Sequence, residues 1–371
     1  MPSETELLFS PFRLGDLKLK NRLVMAPLTR NRATKGTDAP RELNAEYYRQ
    51  RSGAGLIITE ATQISQQGQG YIWTPGLYTE AQVEGWKLVT DTVHAAAGRI
   101  FVQLWHVGRI SHVSLQPGNA APVAPSAIQA KTKTFIETGF ADVSMPRALE
   151  SEEIPLVVRD YLAAAENAQR AGFDGVEVHA ANGYLLEQFL RDSTNTRTDA
   201  YGGSIENRAR LTLEVVDALL RVYDRHRVGI RISPVTPAND APLDSHPQKT
   251  YGYLVEELGR RGIGYIHVVE GATGGPRDNA PFDYETLRRD FPGAYIANNG
   301  YTKDLAIDAL RHDRADLIAF GKLYIANPDL DVRLRTGAAL NEWDKASFYG
   351  GDAKGYTDYP SLSGSAAAAA E

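Results

Sequence analysis

Eight times over, a short apolar run rich in β-branched residues gives way to a segment of helical periodicity, and no other feature narrows the fold as far. The runs are 22–27, 55–61, 100–105, 176–178, 228–233, 265–269, 294–298 and 315–321. The helical segments that follow lie at about 42–51, 80–97, 152–171, 204–225, 251–261, 283–291, 302–311 and 328–335. Near-continuous apolar strands are what a parallel sheet covered on both faces requires. Repeated right-handed crossovers close such a sheet most simply into an α/β structure of the (β/α)8 TIM-barrel type. A doubly wound open sheet is the alternative, but no Gly-x-Gly-x-x-Gly follows the first run to favour it. Residues 9–20 alternate around Gly15-Asp16 and predict an N-terminal hairpin. The Pro-, Ser-, Ala- and Thr-rich stretch 110–150 exceeds an ordinary loop and predicts a long excursion after strand three, over the active face.

A single barrel domain over residues 1–362 fits a chain of 371 residues. Residues 363–371 (Ser363-Gly364-Ser365, alanines, Glu371) read as an added or disordered tail. A hydrophobic share of 43% supplies a sizeable core, and the net charge of −6 comes without a basic block that would suit nucleic acid. No apolar run approaches the ~20 residues needed to cross a bilayer. The start, Met1-Pro2-Ser3-Glu4-Thr5-Glu6, lacks the pattern of a secretory signal, so a cytoplasmic protein is expected, monomeric or weakly homo-oligomeric. Cysteine is absent, which removes disulfides, thiolate metal sites and cysteine nucleophiles together. Redox chemistry would then need a bound organic cofactor or a metal on N and O ligands, and no ligand pattern for such a metal is present.

Chemistry is expected at the C-terminal ends of the strands. The fourth run stops at His179, and Leu185, Leu186, Phe189 and Leu190 then recur at helical spacing. His179, Asn182 and Tyr184 are therefore expected in the turn between. Imidazole and carboxamide can both donate to one carbonyl or nitro oxygen, and a phenol stays protonated at neutral pH until asked for its proton. Each has a blander reading: a structural histidine, a helix N-cap, a rim aromatic. Arg231 interrupts an apolar strand and needs an electron-rich neighbour, either a flavin's N1/C2-carbonyl edge or Glu177 on the adjacent strand. Gln103, likewise lodged among apolar residues, suits a flavin pyrimidine edge or a satisfied core amide. Thr29 and Ala61 end the first two strands and could border the same ring, although Thr29 also suits a cap. After strands seven and eight, Asn299-Gly300 and Gly321-Lys322 offer approachable backbone and a cation for phosphate, or ordinary turns with a solvated lysine. Tyr71, Trp105 and Tyr349 are loop-adjacent aromatics, suited to packing or to a substrate wall.

His179-Ala180-Ala181-Asn182-Gly183-Tyr184-Leu185-Leu186-Glu187-Gln188-Phe189-Leu190 and Asp199-Ala200-Tyr201-Gly202-Gly203-Ser204-Ile205-Glu206-Asn207-Arg208 closely resemble the Old Yellow Enzyme family. So do Met25-Ala26-Pro27-Leu28-Thr29-Arg30, Gln103-Leu104-Trp105-His106, Gly229-Ile230-Arg231-Ile232-Ser233-Pro234 and Ala319-Phe320-Gly321-Lys322, in the family's order. The resemblance spans roughly residues 7–359 and is strongest to the bacterial ene-reductase branch, the kind of N-ethylmaleimide, pentaerythritol tetranitrate and xenobiotic reductases. It implies a barrel holding FMN non-covalently, reduced by NADPH or NADH and reoxidised by a small activated alkene or nitro compound. By motif, Pro27, Thr29 and Ala61 would border the flavin, with Thr29 tuning its C4 carbonyl. Gln103 and Arg231 would hold the pyrimidine edge, and Asn299, Gly300, Gly321 and Lys322 the phosphate. His179 and Asn182 would bind the substrate's electron-withdrawing oxygen and Tyr184 would protonate the alkene carbon, inside a pocket lined by Tyr71, Trp105 and Tyr349.

Two positions locate the chain within the family. Lys322 stands where arginine is common, which keeps the charge but loses the bidentate fork. Thr29 stands where another, thermophilic branch carries cysteine. The absence of cysteine also sets the chain apart from related two-domain enzymes with an iron–sulfur cluster. Three alternatives of function stand beside this reading: nitrate-ester or nitroaromatic reduction at the same site, a flavin-free barrel lyase or aldolase using Lys322 as a Schiff-base amine, and a non-catalytic binding barrel.

Overall fold

In the computed structural model, which describes residues 4–362, eight parallel strands close into a barrel. The expectations for the first three residues and for 363–371 lie outside the described residues. In chain order the strands are β1 (Leu23–Met25), β2 (Leu56–Gln63), β3 (Ile100–Trp105), β4 (Gly175–Ala180), β5 (Val228–Ile232), β6 (Tyr265–Val269), β7 (Ala294–Asn298) and β8 (Leu317–Phe320). Each pairs in parallel with its sequence neighbour, and β8 closes on β1. Helices α1 (Glu42–Gln50), α2 (Glu80–Ala95), α3 (Ile154–Arg170), α4 (Ile205–Leu219), α5 (Pro247–Arg261), α6 (Tyr284–Asp290), α7 (Lys303–Arg311) and α8 (Leu330–Thr336) follow the strands in turn.

Local chemistry sets the helix ends. Thr79 and Gln82 form a reciprocal capping box at the start of α2, and Ser204 accepts from the Asn207 N–H at the start of α4. Helix α5 begins four residues earlier than its apolar pattern predicts, because Pro247 fits the first helical position. Helix α4 stops at Leu219, short of 225, because Asp224 caps a separate 3-10 turn, Arg225–Arg227, that leads into β5. The excursion 110–150 contains a hairpin, Lys133–Ile136 with Gly139–Asp142, and a short parallel pair, Val123–Ala124 with Arg147–Ala148. Among the described residues no helix is long and apolar enough to cross a membrane.

Alternation along the strands divides the side chains into two populations. One face, including Met25, Ile57, Val102, Val176, Val178, Ile230 and Ile266, packs with residues of the surrounding helices. The other fills the barrel. Its lower part is apolar: Val24, Leu56, Ile58, Phe101, Tyr265, Ile296 and Leu317 pack with Leu14, Leu17 and Leu19 of the hairpin Phe12–Leu14/Leu17–Leu19. The hairpin is thus the floor of the barrel. Gly229 belongs to this interior, and a Cβ there would lie only 2.1 Å from Tyr265 Cζ.

Above that floor the interior turns polar. Glu177 of β4 accepts from Gln103 Nε2 of β3 at 2.7 Å and meets His267 Nδ1 of β6 at 2.9 Å. Strands β4 and β6 are not neighbours, so these side chains can meet only across the inside of the barrel. Such a buried cluster is tolerable because its partners are supplied by the barrel itself.

Candidate active site

At the mouth of the barrel, His179 and Arg231 stand side by side in register on β4 and β5, with His267 next to Arg231 on β6. His179 lies within β4 rather than in the turn expected from the sequence, because the ladder continues through the pairs His179–Arg231 and Ala180–Ile232. Burial, reinforced by the Arg231 charge and by His267, holds its pKa well below the ordinary histidine value of 6.5. The imidazole is therefore neutral at physiological pH, and its Nδ1 is buried without a hydrogen-bond partner.

After β4 the chain bends sharply. Asn182 and Gly183 have φ of +60° and +77°, and a Cβ on Gly183 would come within 2.6 Å of the Ala238 carbonyl oxygen. A glycine is required there on both counts. Tyr184, not Asn182, precedes the short helix Leu185–Leu190 at its cap position, so Asn182 is free of the capping role. The Asn182 N–H donates to Ser233 Oγ at 2.8 Å, and its carbonyl accepts from Asn239 Nδ2 at 2.8 Å. Its side-chain oxygen accepts from Thr273 Oγ1 at 2.7 Å. Once these three groups are committed, the carboxamide nitrogen remains for a ligand.

Tyr184 closes the group. Its ring lies edge-on to Trp105 and His179 at 4.9 and 5.0 Å, and its hydroxyl is 3.2 Å from that of Tyr71. Tyr71 in turn stacks on Trp105 at 5.7 Å. Burial pushes the Tyr184 pKa up, with hydrogen bonds from Tyr71 and Asn239 pulling the other way. The phenol is protonated at neutral pH. Tyr349, mostly exposed, adds to the upward push on both phenols and so belongs to the same rim. Its segment is fastened by Arg30 and Arg32, whose guanidiniums donate to the carbonyls of Ser347 and Phe348.

Arg231 does not form the ion pair with Glu177 that the sequence left open. Glu177 is taken by Gln103 and His267, while Arg231 Nη2 donates to Asn298 Oδ1 at 2.8 Å. Arg231 Nε is buried and has no partner. A carboxylate needs a donor, so Glu177 fixes the Gln103 amide with its nitrogen toward the carboxylate and its carbonyl oxygen on the other side. An unsatisfied guanidinium N–H beside an oriented amide suits the edge of a heteroaromatic ring.

Ala61 is not at the end of its strand. Strand β2 runs on to Gln63, because a bulge between Ile58 and Ala61 re-aims the chain before the ladder resumes at Ala61–Gln103. Ala61 there packs in one cluster with Trp105. Pro27 is buried and Thr29 half-buried in the segment beyond β1. After β7, the Asn299 side chain is committed to the loop beyond β6: Nδ2 donates to the carbonyls of Glu270 and Ala272, and Oδ1 accepts from the Gly274 N–H. Its backbone is what remains for a ligand. Gly300, at φ +66°, has open space where a side chain would start, with no atom within 4 Å, and a Cβ on Gly321 would meet only Leu28, at 3.5 Å. Lys322 is exposed beside them, its Nζ 3.9 Å from where a Cβ on Gly274 would lie. This open, glycine-lined cradle with one cation fits a phosphate.

Sequence reasoning did not reach Asn298, Ser233, Glu187, Asn239 or Thr273. Glu177 and His267 carried a signal, being charged or titratable in apolar runs. Thr273 carried none, since it is an exposed loop residue.

A neutral His179 has a consequence for ligand binding. Because its pKa is depressed, the imidazole stays uncharged from pH 8 down through pH 6. The dissociation constant of an uncharged ligand that accepts a hydrogen bond from it is therefore expected to stay flat over that window. A tenfold change per pH unit would show that the imidazole titrates there.

Comparison with known proteins shows the family and agrees with the barrel fold. Residues 7–341 match the NADH:flavin oxidoreductase / NADH oxidase family. The 12-oxophytodienoate reductase 1 of Oryza sativa subsp. japonica is 44% identical over 360 residues, covering 96% of this chain and 93% of that protein. Morphinone reductase in complex with tetrahydroNAD superposes with a TM-score of 0.91 at 50% identity, covering 96% of this chain and 97% of that one. The Old Yellow Enzyme homologue of Zymomonas mobilis superposes with a TM-score of 0.92 at 43% identity, covering 95% and 99%. Fold and site together define a barrel flavin oxidoreductase that uses FMN and a nicotinamide reductant. The chain belongs to the NADH:flavin oxidoreductase / NADH oxidase family, as a homologue of Old Yellow Enzyme.

Proposed function

We propose that this enzyme reduces activated alkenes (enones, enals, maleimides and nitroalkenes), with His179 and Asn182 as the anchors for the substrate's electron-withdrawing oxygen. FMN, when bound, supplies hydride to the β-carbon after reduction by NADPH or NADH. The chain's own residues then handle charge and proton. Electron density moves onto the substrate oxygen as the β-carbon is attacked, and two neutral donors, the imidazole and the Asn182 carboxamide, stabilise it there. Such donors act most strongly where charge develops in a partly dry site. Neutral donors also avoid the deep trap for an anionic product that a cation would set.

Tyr184 delivers the proton to the α-carbon. Its raised pKa keeps the proton in place until a carbanion-like carbon demands it. Arg231 and Gln103 would hold the cofactor's pyrimidine edge, and Pro27, Thr29 and Ala61 would border it. Gly300, Gly321, Lys322 and the backbone at Asn299 would hold its phosphate, with Lys322 supplying a point charge without a bidentate fork. Tyr71, Trp105 and Tyr349 form the wall around the substrate. The observation that carries the reading is a neutral imidazole and a protonated phenol packed edge to face at 5.0 Å, with the buried, half-satisfied Arg231 in register beside the imidazole and Asn182 in the turn between His179 and Tyr184.

Tyr184→Phe tests it. Reduction of the bound flavin by nicotinamide is expected to proceed at the unaltered rate, while turnover of 2-cyclohexenone falls by about 10²-fold, within the range for loss of a general acid. Equal turnover by the variant would mean that solvent or another group supplies the proton.

A further inference from the structure

Asn182 can serve a substrate oxygen only if its nitrogen, rather than its oxygen, faces the site. The two ends of a carboxamide have the same shape and opposite polarity, so something must choose between them. Resting on the reading of Asn182 as a substrate anchor, we propose that Thr273 makes this choice and is a positioning residue of the active site.

The argument is a count of protons. Thr236, buried beneath the loop that follows β6, lies 2.6 Å from the Gly271 carbonyl oxygen and 3.3 Å from Thr273 Oγ1. A hydroxyl has one proton to give, and the carbonyl at the shorter distance takes that of Thr236. The Thr273 proton then has two destinations: Thr236 Oγ1 at 3.3 Å or Asn182 Oδ1 at 2.7 Å. The latter is the usual O–H···O separation and the former is beyond it, so the proton goes to Asn182. An N–H donated by a reversed carboxamide would sit nearer to about 2.9–3.0 Å. The hydroxyl therefore holds Oδ1 and turns Nδ2 away from itself.

The position of Thr273 is itself fixed. Its neighbour Gly274 donates its N–H to Asn299 Oδ1 at 3.0 Å, and Asn299 Nδ2 donates to the carbonyls of Glu270 and Ala272 at 2.7 and 2.9 Å. The loop that orients the Asn182 amide is thus fastened to the residue that follows β7, next to the phosphate cradle. On the other side, Ser233 and Asn239 hold the backbone of Asn182, so only the side-chain torsion is left for Thr273 to set.

The test uses the FMN-loaded enzyme, with p-hydroxybenzaldehyde as the probe and the change in flavin absorbance as the readout. Thr273→Val keeps the shape and loses the hydroxyl; Thr273→Ser keeps the hydroxyl. Thr273→Val is expected to raise the probe's Kd about fivefold, as loss of one hydrogen bond does, and Thr273→Ser to stay within about twofold of the parent. FMN affinity, measured by release of the cofactor on dilution, is expected to be the same in all three proteins. In an Asn182→Ala background Thr273→Val is expected to change nothing further, because the group it positions is gone. If Asn182→Ala binds the probe as tightly as the parent, the anchor reading and the inference fall together. If Asn182→Ala weakens binding but Thr273→Val does not, or if Thr273→Ser is as weak as Thr273→Val, the positioning role alone is overturned.

Discussion

His179→Ala is expected to lower enone turnover by about 10²–10³-fold, the range typical for removing one preorganised donor to a developing oxyanion. The same change should weaken phenol-type inhibitors while FMN stays bound. The size of the effect follows from the surroundings of the imidazole. It is buried, uncharged and in register with Arg231, with Trp105 and Tyr184 packed around it. No other described side chain holds that place on β4, so alanine leaves a gap that water fills without an oriented donor. Steady-state kinetics with 2-cyclohexenone, beside the Kd of p-hydroxybenzaldehyde, would measure both effects. Unchanged values for turnover and affinity would remove His179 from the reaction.

A second large effect is expected at Glu187, which touches no substrate. Its carboxylate is fully buried and accepts from Arg191 Nη2 at 3.0 Å, from Ser233 Oγ at 2.7 Å and from Tyr251 Oη at 2.7 Å. Its other oxygen receives the Gly183 N–H. Through Ser233, it also holds the N–H of Asn182. One carboxylate therefore fixes the turn that carries Asn182, Gly183 and Tyr184. Glu187→Ala strands the Arg191 guanidinium inside the protein, and breaking a buried pair from one side costs about 3–5 kcal/mol. Urea unfolding of the FMN-loaded protein would measure this. A loss below about 1 kcal/mol would mean that the carbonyls around Arg191 suffice without the charge.

Much of the fold was legible because barrels leave periodic traces. Strands β3, β6 and β7 fall where their apolar runs predict, since a strand covered on both faces has no polar side to blur its limits. Polar residues inside such runs were equally legible as anomalies, which is how Gln103 and Arg231 came forward, whereas His179 stood out as the residue that ends its run, beside Asn182 and Tyr184. The resemblance added roles to all three, but Gln103 and Arg231 stood out first as polar groups in apolar strands, and His179 as the end of one.

The sequence by itself determined the number of strands, the order of helices and the side chains that could not be ordinary core, because these follow from periods of about 2 and 3.6 along the chain. Only the tertiary structure decided which of those side chains meet. Closure brings Glu177 to His267 and Arg231 to Asn298 across strands that are not neighbours, and periodicity along one strand says nothing about a partner across the barrel. The bulge that places Ala61, the left-handed turn at Asn182 and the hydroxyl of Thr273 belong to the same group. They arise where backbone leaves its regular path, and a hydrogen bond between distant loops has no signature in either.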